Sequence, residues 1–120
     1  MINIKTTIVN SLKSNSNLIN LLGGQRIYFQ VAPNPNEFPR ITYFEIDNFG
    51  SLYADDEEKA SEIHVQIDIW HKSNTTAIAD EVDKTMKNIG FGRTSAADLY
   101  EEDTQVYHKA LRYVINREVE

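Results

Sequence analysis

Three histidines and a nearby aspartate are the residues of this chain whose chemistry fits a metal site. His64, Asp68 and His71 lie close together in the sequence, and His108 belongs to a later segment. Imidazole nitrogens and carboxylate oxygens are common ligands of zinc and manganese, so a small metal-dependent hydrolase or nuclease can be imagined on these four residues. No short-spaced motif such as HExxH fixes their geometry, however. We therefore expect no metal ligands and no catalytic residues, and keep the metal-dependent enzyme as an alternative.

Two acidic runs are the other candidates for chemistry. The first is Asp55, Asp56, Glu57 and Glu58, and the second is Glu101–Asp103. Calcium-binding loops space their ligands and place a glycine at the bend, and neither run has that pattern. Contiguous carboxylates at a turn are typical of a solvated surface. Docking onto a basic partner is the second interpretation of these runs, and catalysis is the third.

The glycines do not predict a nucleotide site. Gly23-Gly24 and Gly90-Phe91-Gly92 each follow a predicted helix, which is typical of helix termination. A phosphate loop would need a lysine and a following helix, and a hydrolase elbow would need Gly-x-Ser-x-Gly; neither is present. We therefore predict no cofactor.

The composition restricts the class of protein further. The chain has 120 residues, which predicts a single domain over 1–120, and it contains no cysteine for disulfides or thiolate sites. Its 12 basic and 18 acidic residues give a net charge of −6, which argues against nucleic acid or an anionic membrane as a ligand. No signal-peptide pattern and no apolar run of about 18 residues occurs, so we expect synthesis and assembly in a cytoplasm.

Apolar spacing predicts two main helices. Ile4, Ile8 and Leu12 form one stripe of a first helix, which the polar segment 11–17 should end. A short helical turn over 18–22 follows. The second main helix is predicted from the stripe formed by Ile78, Val82, Met86 and Ile89.

Alternation of apolar and polar residues predicts long strands. In the clearest example, Ile63, Val65, Ile67 and Ile69 alternate with His64, Gln66, Asp68 and Trp70. Another alternating segment begins at Arg40, after a loop over 31–39 that holds all three prolines. A short strand is predicted over 96–100, and a last alternating strand over 106–116. Together these elements predict an α+β fold: an antiparallel sheet with a long projecting hairpin and two main helices packed on one face.

Several segments resemble a known family. An N-terminal amphipathic helix is followed by LLGGQRIY over 21–28, FPRITYF over 38–44, GFGRT over 90–94, DLYEEDT over 98–104 and YHKALRY over 107–113. In these features the chain resembles the small tail-completion or tail-terminator proteins, also called head–tail joining proteins, of tailed phages and prophages. A cytoplasmic adaptor without viral origin is the remaining alternative.

The resemblance implies a structural role without catalysis. It implies a subunit that assembles with itself into a ring, typically a hexamer, at the head-proximal end of the tail in the virion. The ring would contact the major tail tube protein and the head connector, and DNA would pass through it as cargo. An acidic lumen would suit such passage, because like charges discourage contacts with phosphates.

The resemblance also suggests where contacts would form. Trp70 could pack at the sheet edge or under the proline loop, or could form a subunit contact, since Trp and Tyr are enriched in interfaces. We expect subunit contacts along the hairpin, through Phe44, Ile46, His64, Gln66, Asp68 and Trp70. We expect partner docking at its tip, through Tyr53, Asp55, Asp56, Glu57 and Glu58.

Overall fold

The computed structural model describes residues 2–118, in which five strands form one sheet and three helices cover one of its faces. In chain order the elements are α1 (Lys5–Ser14), α2 (Ser16–Leu22), β1 (Ile27–Phe29), β2 (Arg40–Ala54), β3 (Glu57–His71), α3 (Thr76–Asn88), β4 (Gly92–Glu101) and β5 (Val106–Glu118). The predicted α+β class, with its helices on one face, is confirmed.

The strands are arranged in the order β1-β2-β3-β5-β4. The four longer strands are antiparallel to their neighbours, as expected, but the three-residue β1 pairs with β2 in parallel. This parallel pair departs from the predicted all-antiparallel sheet. It forms because the proline-containing loop returns the chain to the end of the sheet at which β1 began, so that β2 starts beside β1.

The alternation in β3 decides which face of the sheet is buried. Ile63, Val65, Ile67 and Ile69 are at most 1% exposed and lie beneath the helices. Neighbouring strands and the helices add the rest of this core, chiefly Ile41, Tyr43, Leu111, Tyr113, Ile8, Leu12, Leu18, Leu22, Ile78, Val82 and Met86. The apolar stripes predicted for both main helices are therefore confirmed as core, except that Ile4 and Ile89 lie just outside α1 and α3 and Ile89 is only partly buried. We call the sheet surface under the helices the inner face and the opposite surface the outer face.

Asn15 ends α1, begins α2 and ties both to α3. Its side-chain oxygen accepts a hydrogen bond from the Leu18 backbone at 3.1 Å, which caps α2. Its side-chain nitrogen donates to Thr85 Oγ1 at 3.0 Å and to Glu81 Oε2 at 3.1 Å. The polar break between the helices therefore also positions α3 over the sheet.

The β2–β3 hairpin is the longest feature of the fold, and its far end projects from the body as predicted. Both strands contain 15 residues, and the two-residue turn between them consists of Asp55 and Asp56, with φ values of 54° and 61°. Two consecutive residues with positive φ are typical of a tight hairpin turn that matches strand twist, and aspartate tolerates this conformation better than most residues.

Asp83 fastens α3 to β4 and β5. Its carboxylate accepts hydrogen bonds from Tyr113 Oη at 2.9 Å and Arg93 Nε at 3.2 Å, and it pairs with Lys87 at 2.8 Å. Partial burial of the carboxyl opposes ionisation, but the bonds from Lys87 and Tyr113 and the charges of Lys87 and Arg93 outweigh it, so the pKa of Asp83 is lowered. Burial and the hydrogen bond to Asp83 raise the pKa of Tyr113.

The substitution Asp83→Asn should therefore destabilise the protein in a pH-dependent way. Because the pKa of Asp83 is lower in the folded than in the unfolded chain, its ionic contribution is complete above the unfolded value of about 4 and disappears as pH falls through the folded value. Urea unfolding should give a loss of about 1–3 kcal/mol at pH 7, and the loss should shrink below about pH 4. Asp80→Asn, on an exposed position of the same helix, is the control. A loss that stays constant from pH 3 to 7 would contradict this role of Asp83.

Candidate assembly interface

The outer face of the sheet carries most of the residues predicted for subunit contact. In the register of β2 and β3, Phe44 lies opposite Gln66, Thr42 opposite Asp68, and Arg40 opposite Trp70. His64 lies on the same face, opposite Asp47. Ile46 falls at a bulge between Glu45 and Asp47, has no cross-strand partner and is 42% exposed. Within the described part of the chain, no helix covers this face.

A polar network crosses the outer face from β5 to β3 and back. Arg112 Nε donates to Gln66 Oε1 at 3.0 Å, and Gln66 Nε2 donates to Asp68 Oδ1 at 2.8 Å. The same Asp68 oxygen lies 2.6 Å from His108 Nε2. Asp68 itself is only 5% exposed, so it supports the surface from within rather than forming much of it. The buried Asp68 carboxylate is bonded to both Gln66 and His108. Because these bonds fix the side chains relative to one another, the network holds the outer face in one arrangement.

Trp70 is held between the network and the proline loop. Its ring stacks on His108 with centroids 3.8 Å apart, and its Nε1 donates to Thr42 Oγ1 at 3.0 Å. The Arg40 guanidinium lies 5.3 Å from the Trp70 ring and 4.6 Å from the ring of Phe38, a loop residue. Burial lowers the pKa of Arg40, with the charge of Glu101 acting in the opposite direction. Trp70 therefore packs beside the proline loop and still leaves part of its ring at the surface.

The hairpin tip is exposed and acidic. Tyr53 is 60% exposed, and its ring lies across Gly50, where a Cβ atom would overlap the ring. Lys59 pairs with Glu57 at 3.0 Å. Ser61 donates a hydrogen bond to Glu58, and this bond lowers the pKa of the Glu58 carboxyl. The carboxylates of the tip therefore point into solvent or bond to near neighbours.

The four residues considered for a metal site do not come together. Only Asp68 and His108 are in contact. His64 bonds to Glu62 at 2.8 Å and stacks on Phe49. His71 accepts a hydrogen bond from the Ser73 backbone at 2.8 Å at the loop before α3. Residues 2–118 contain no group of three or more His, Asp or Glu side chains arranged to hold a metal ion.

Sequence reasoning missed three contributors to this surface. Arg112 extends the polar network, Phe49 covers His64, and Leu99 is 51% exposed beside His108 in the register of β4 and β5. Their positions depend on cross-strand register, which no spacing within one strand reveals. The only available signal was that aromatic and charged residues recur on several predicted strands.

None of the described helices has the length and apolar character that crossing a membrane would require.

The sequence of the chain matches that of a known protein family. The family described as tail completion protein gp17 matches residues 6–115. The chain belongs to this family. The family is one of structural proteins of the phage virion tail, and the chain is therefore a tail protein that assembles with other virion proteins. The alternative of an adaptor without viral origin is wrong.

Two solved structures share the fold of this tail completion protein. A chain in the virion of a native gene transfer agent particle has a TM-score of 0.67 at 16% identity, covering 93% of this chain and 92% of that one. The gp17 protein of bacteriophage SPP1 has a TM-score of 0.57 at 13% identity, covering 98% of this chain and 91% of that one. No curated protein sequence matches the chain.

Removal of the Asp68 carboxylate should destabilise the outer face of the tail completion protein. Asp68→Ala leaves His108 and Gln66 without their shared acceptor, so urea unfolding should show a loss of about 1–3 kcal/mol. His64→Ala is the control, because the His64–Glu62 pair has both side chains 33% exposed and should contribute less than about 1 kcal/mol. Equal losses for both variants would show that the network adds nothing to stability.

Proposed function

We propose that this chain assembles into a ring, typically a hexamer, at the head-proximal end of the phage tail. The ring ends the tail tube, contacts the major tail tube protein and joins the tail to the head connector. Membership of the tail completion family over 6–115 is the observation that carries this proposal. Residues 1–120 act as one domain, which is the repeating unit of the ring.

The proposal assigns the chain no catalytic step and no cofactor. On the outer face, two pairs of side chains with acid–base chemistry bond to each other: Asp68 to His108, and His64 to Glu62. Such pairing suits a surface that must keep one shape during assembly. The apolar side chains that remain for subunit contact are Phe44, Ile46 and the exposed part of Trp70, and polar groups flank them.

The acidic tip is the proposed docking point for a basic surface of the head connector or the tail tube. Asp55, Asp56 and Glu57 are exposed at the end of a 15-residue strand pair and stand clear of the helices. Charges at the rim of an interface mainly raise the rate of encounter between partners. The net charge of −6 also discourages binding of the DNA that passes through the ring.

The proposed function is tested with phage particles that lack this chain. Without the ring, tail tubes have no joining surface, so tails and filled heads should accumulate separately, as counted by electron microscopy. The wild-type chain supplied in trans should restore joined particles. Normal joining in particles proven to lack the chain would overturn the proposal.

The same complementation assay measures whether the hairpin tip contributes to the joining of heads and tails. A variant with Asp55→Asn, Asp56→Asn, Glu57→Gln and Glu58→Gln removes charge while keeping side-chain shape and the turn. At low salt it should join heads on the order of tenfold more slowly than wild type, and the difference should shrink as salt rises. The control variant neutralises Glu102 and Asp103 in the β4–β5 turn. If both variants join at the wild-type rate, the tip is a solvated turn without a docking role.

A further inference from the structure

Two strands of the sheet have backbone edges without a partner, and we propose that they pair with each other between subunits. The edge of β4 on one subunit would add to the free stretch of β2, residues 44–54, on a second copy of this chain. The inference rests on the proposed ring and specifies how its subunits join. The resulting sheet would run continuously from one subunit to the next.

Strand β4 is open on one side. It pairs only with β5, from Gly92 opposite Val114 to Glu101 opposite Val106. All ten of its residues are exposed. Among the described residues, no backbone hydrogen bond reaches β4 from outside the sheet. Its second edge therefore presents a row of N–H and C=O groups, which is a template for another strand.

Strand β2 is open over most of its length. Strand β1 covers only Ile41 to Tyr43, and the last bond on that side is from the Gln30 backbone to Tyr43. From Phe44 to Ala54 the described backbone of β2 pairs with no strand other than β3, and the Asn48 N–H also donates to Asp47 Oδ1 at 2.9 Å. The Asn48 side chain donates to the Ile2 carbonyl at 2.8 Å, and the described residues show no backbone hydrogen bond between the N-terminal segment and this stretch. The free stretch is close to β4 in length.

Exposed apolar side chains are concentrated on these two strands. Ten large hydrophobic residues in the described chain are exposed, and six of them lie on the open strands: Ile46, Phe49, Leu52 and Tyr53 on β2, and Leu99 and Tyr100 on β4. Neither open stretch contains proline or lysine, which commonly protect edges against pairing. The exposed apolar side chains favour a partner strand at these edges, although register shifts between Glu45 and Asp47 and between Gly50 and Tyr53 interrupt the open stretch of β2.

Strand direction favours a ring over a two-fold dimer. The order β2-β3-β5-β4 alternates in direction, so β2 and β4 run oppositely within one subunit. Rotation about a ring axis preserves the direction of every strand relative to that axis. Strand β4 of one subunit therefore meets β2 of the next in antiparallel orientation. This contact is head-to-tail, which is the kind of interface that closes cyclic rings.

Charge disfavours contact between two β2 edges. The open stretch of β2, residues 44–54, contains two acidic residues, Glu45 and Asp47, and no basic one. Strand β4 contains one basic residue, Arg93, and two acidic ones, Asp98 and Glu101. Pairing β2 with β2 would bring two acidic stretches together without a basic residue, whereas β4 contributes Arg93 to the contact.

Engineered disulfides test the pairing directly, because the native chain has no cysteine. Ala97→Cys on β4 is combined in turn with Phe44→Cys, Asp47→Cys or Phe49→Cys, so that the three double variants sample different registers on the outer face. Cross-strand Cα atoms must come within about 7 Å for a disulfide to form. On assembled rings, at least one double variant should give a ladder of covalent oligomers on non-reducing gels.

Matched controls separate this pairing from the alternatives. Ala110→Cys lies opposite Ala97 on β5, one strand further from the edge, and should not cross-link with Asp47→Cys. Covalent dimers of the Ala97→Cys single variant would show β4 pairing with β4 and overturn the inference. Rings that form without a cross-link in any double variant would overturn the edge pairing and leave the proposed function standing. Failure of the wild-type chain to form any ring, alone or on tail tubes, would overturn both.

Discussion

The one-sided apolar character of β3 is the constraint on which the rest of the structure depends. Its inward side chains are buried isoleucines and a valine, while its outward side chains are polar or amphipathic. Strands β2 and β5 flank it over almost its whole length, and the helices pack on its inner face alone. A shift of one residue in the β3 register would exchange the two faces and expose the core. The alternation in this strand therefore determines both where the core lies and which face the helices leave uncovered.

The outer face and the two open strand edges are the surfaces that we propose for assembly. The polar network and the Trp70–His108 stack hold the outer face in one arrangement, which lowers the entropy lost on association. The open edges of β2 and β4 supply backbone bonding groups, and the acidic tip stands beyond them. The family assignment accounts for why a small domain keeps these features: its working form is an assembly of a virion tail.

Period-two and period-four spacing predicted the helices, the long hairpin and the core of β3 correctly, because these patterns depend on local geometry. The parallel pairing of β1 was not predictable, since it depends on the path of the proline loop. The sequence predicts Asp68 as a subunit contact, and this role stays a prediction; in the structure the side chain is 5% exposed and supports His108 from within. That contact joins residues forty positions apart and follows only from the register of β3 and β5. The predicted function depends on the resemblance to a family, because no short sequence motif in the chain indicates a catalytic, metal or nucleotide site.

Hydrogen–deuterium exchange of β4 is the most direct test of the account. In the free subunit, the β4 amides that face away from β5 should exchange quickly, because they have no bonding partner. In the ring assembled on tails they should become protected, together with those of the open stretch of β2, while the central amides of β5 stay protected in both states. Rings in which the β4 amides exchange as fast as in the free subunit would contradict the account.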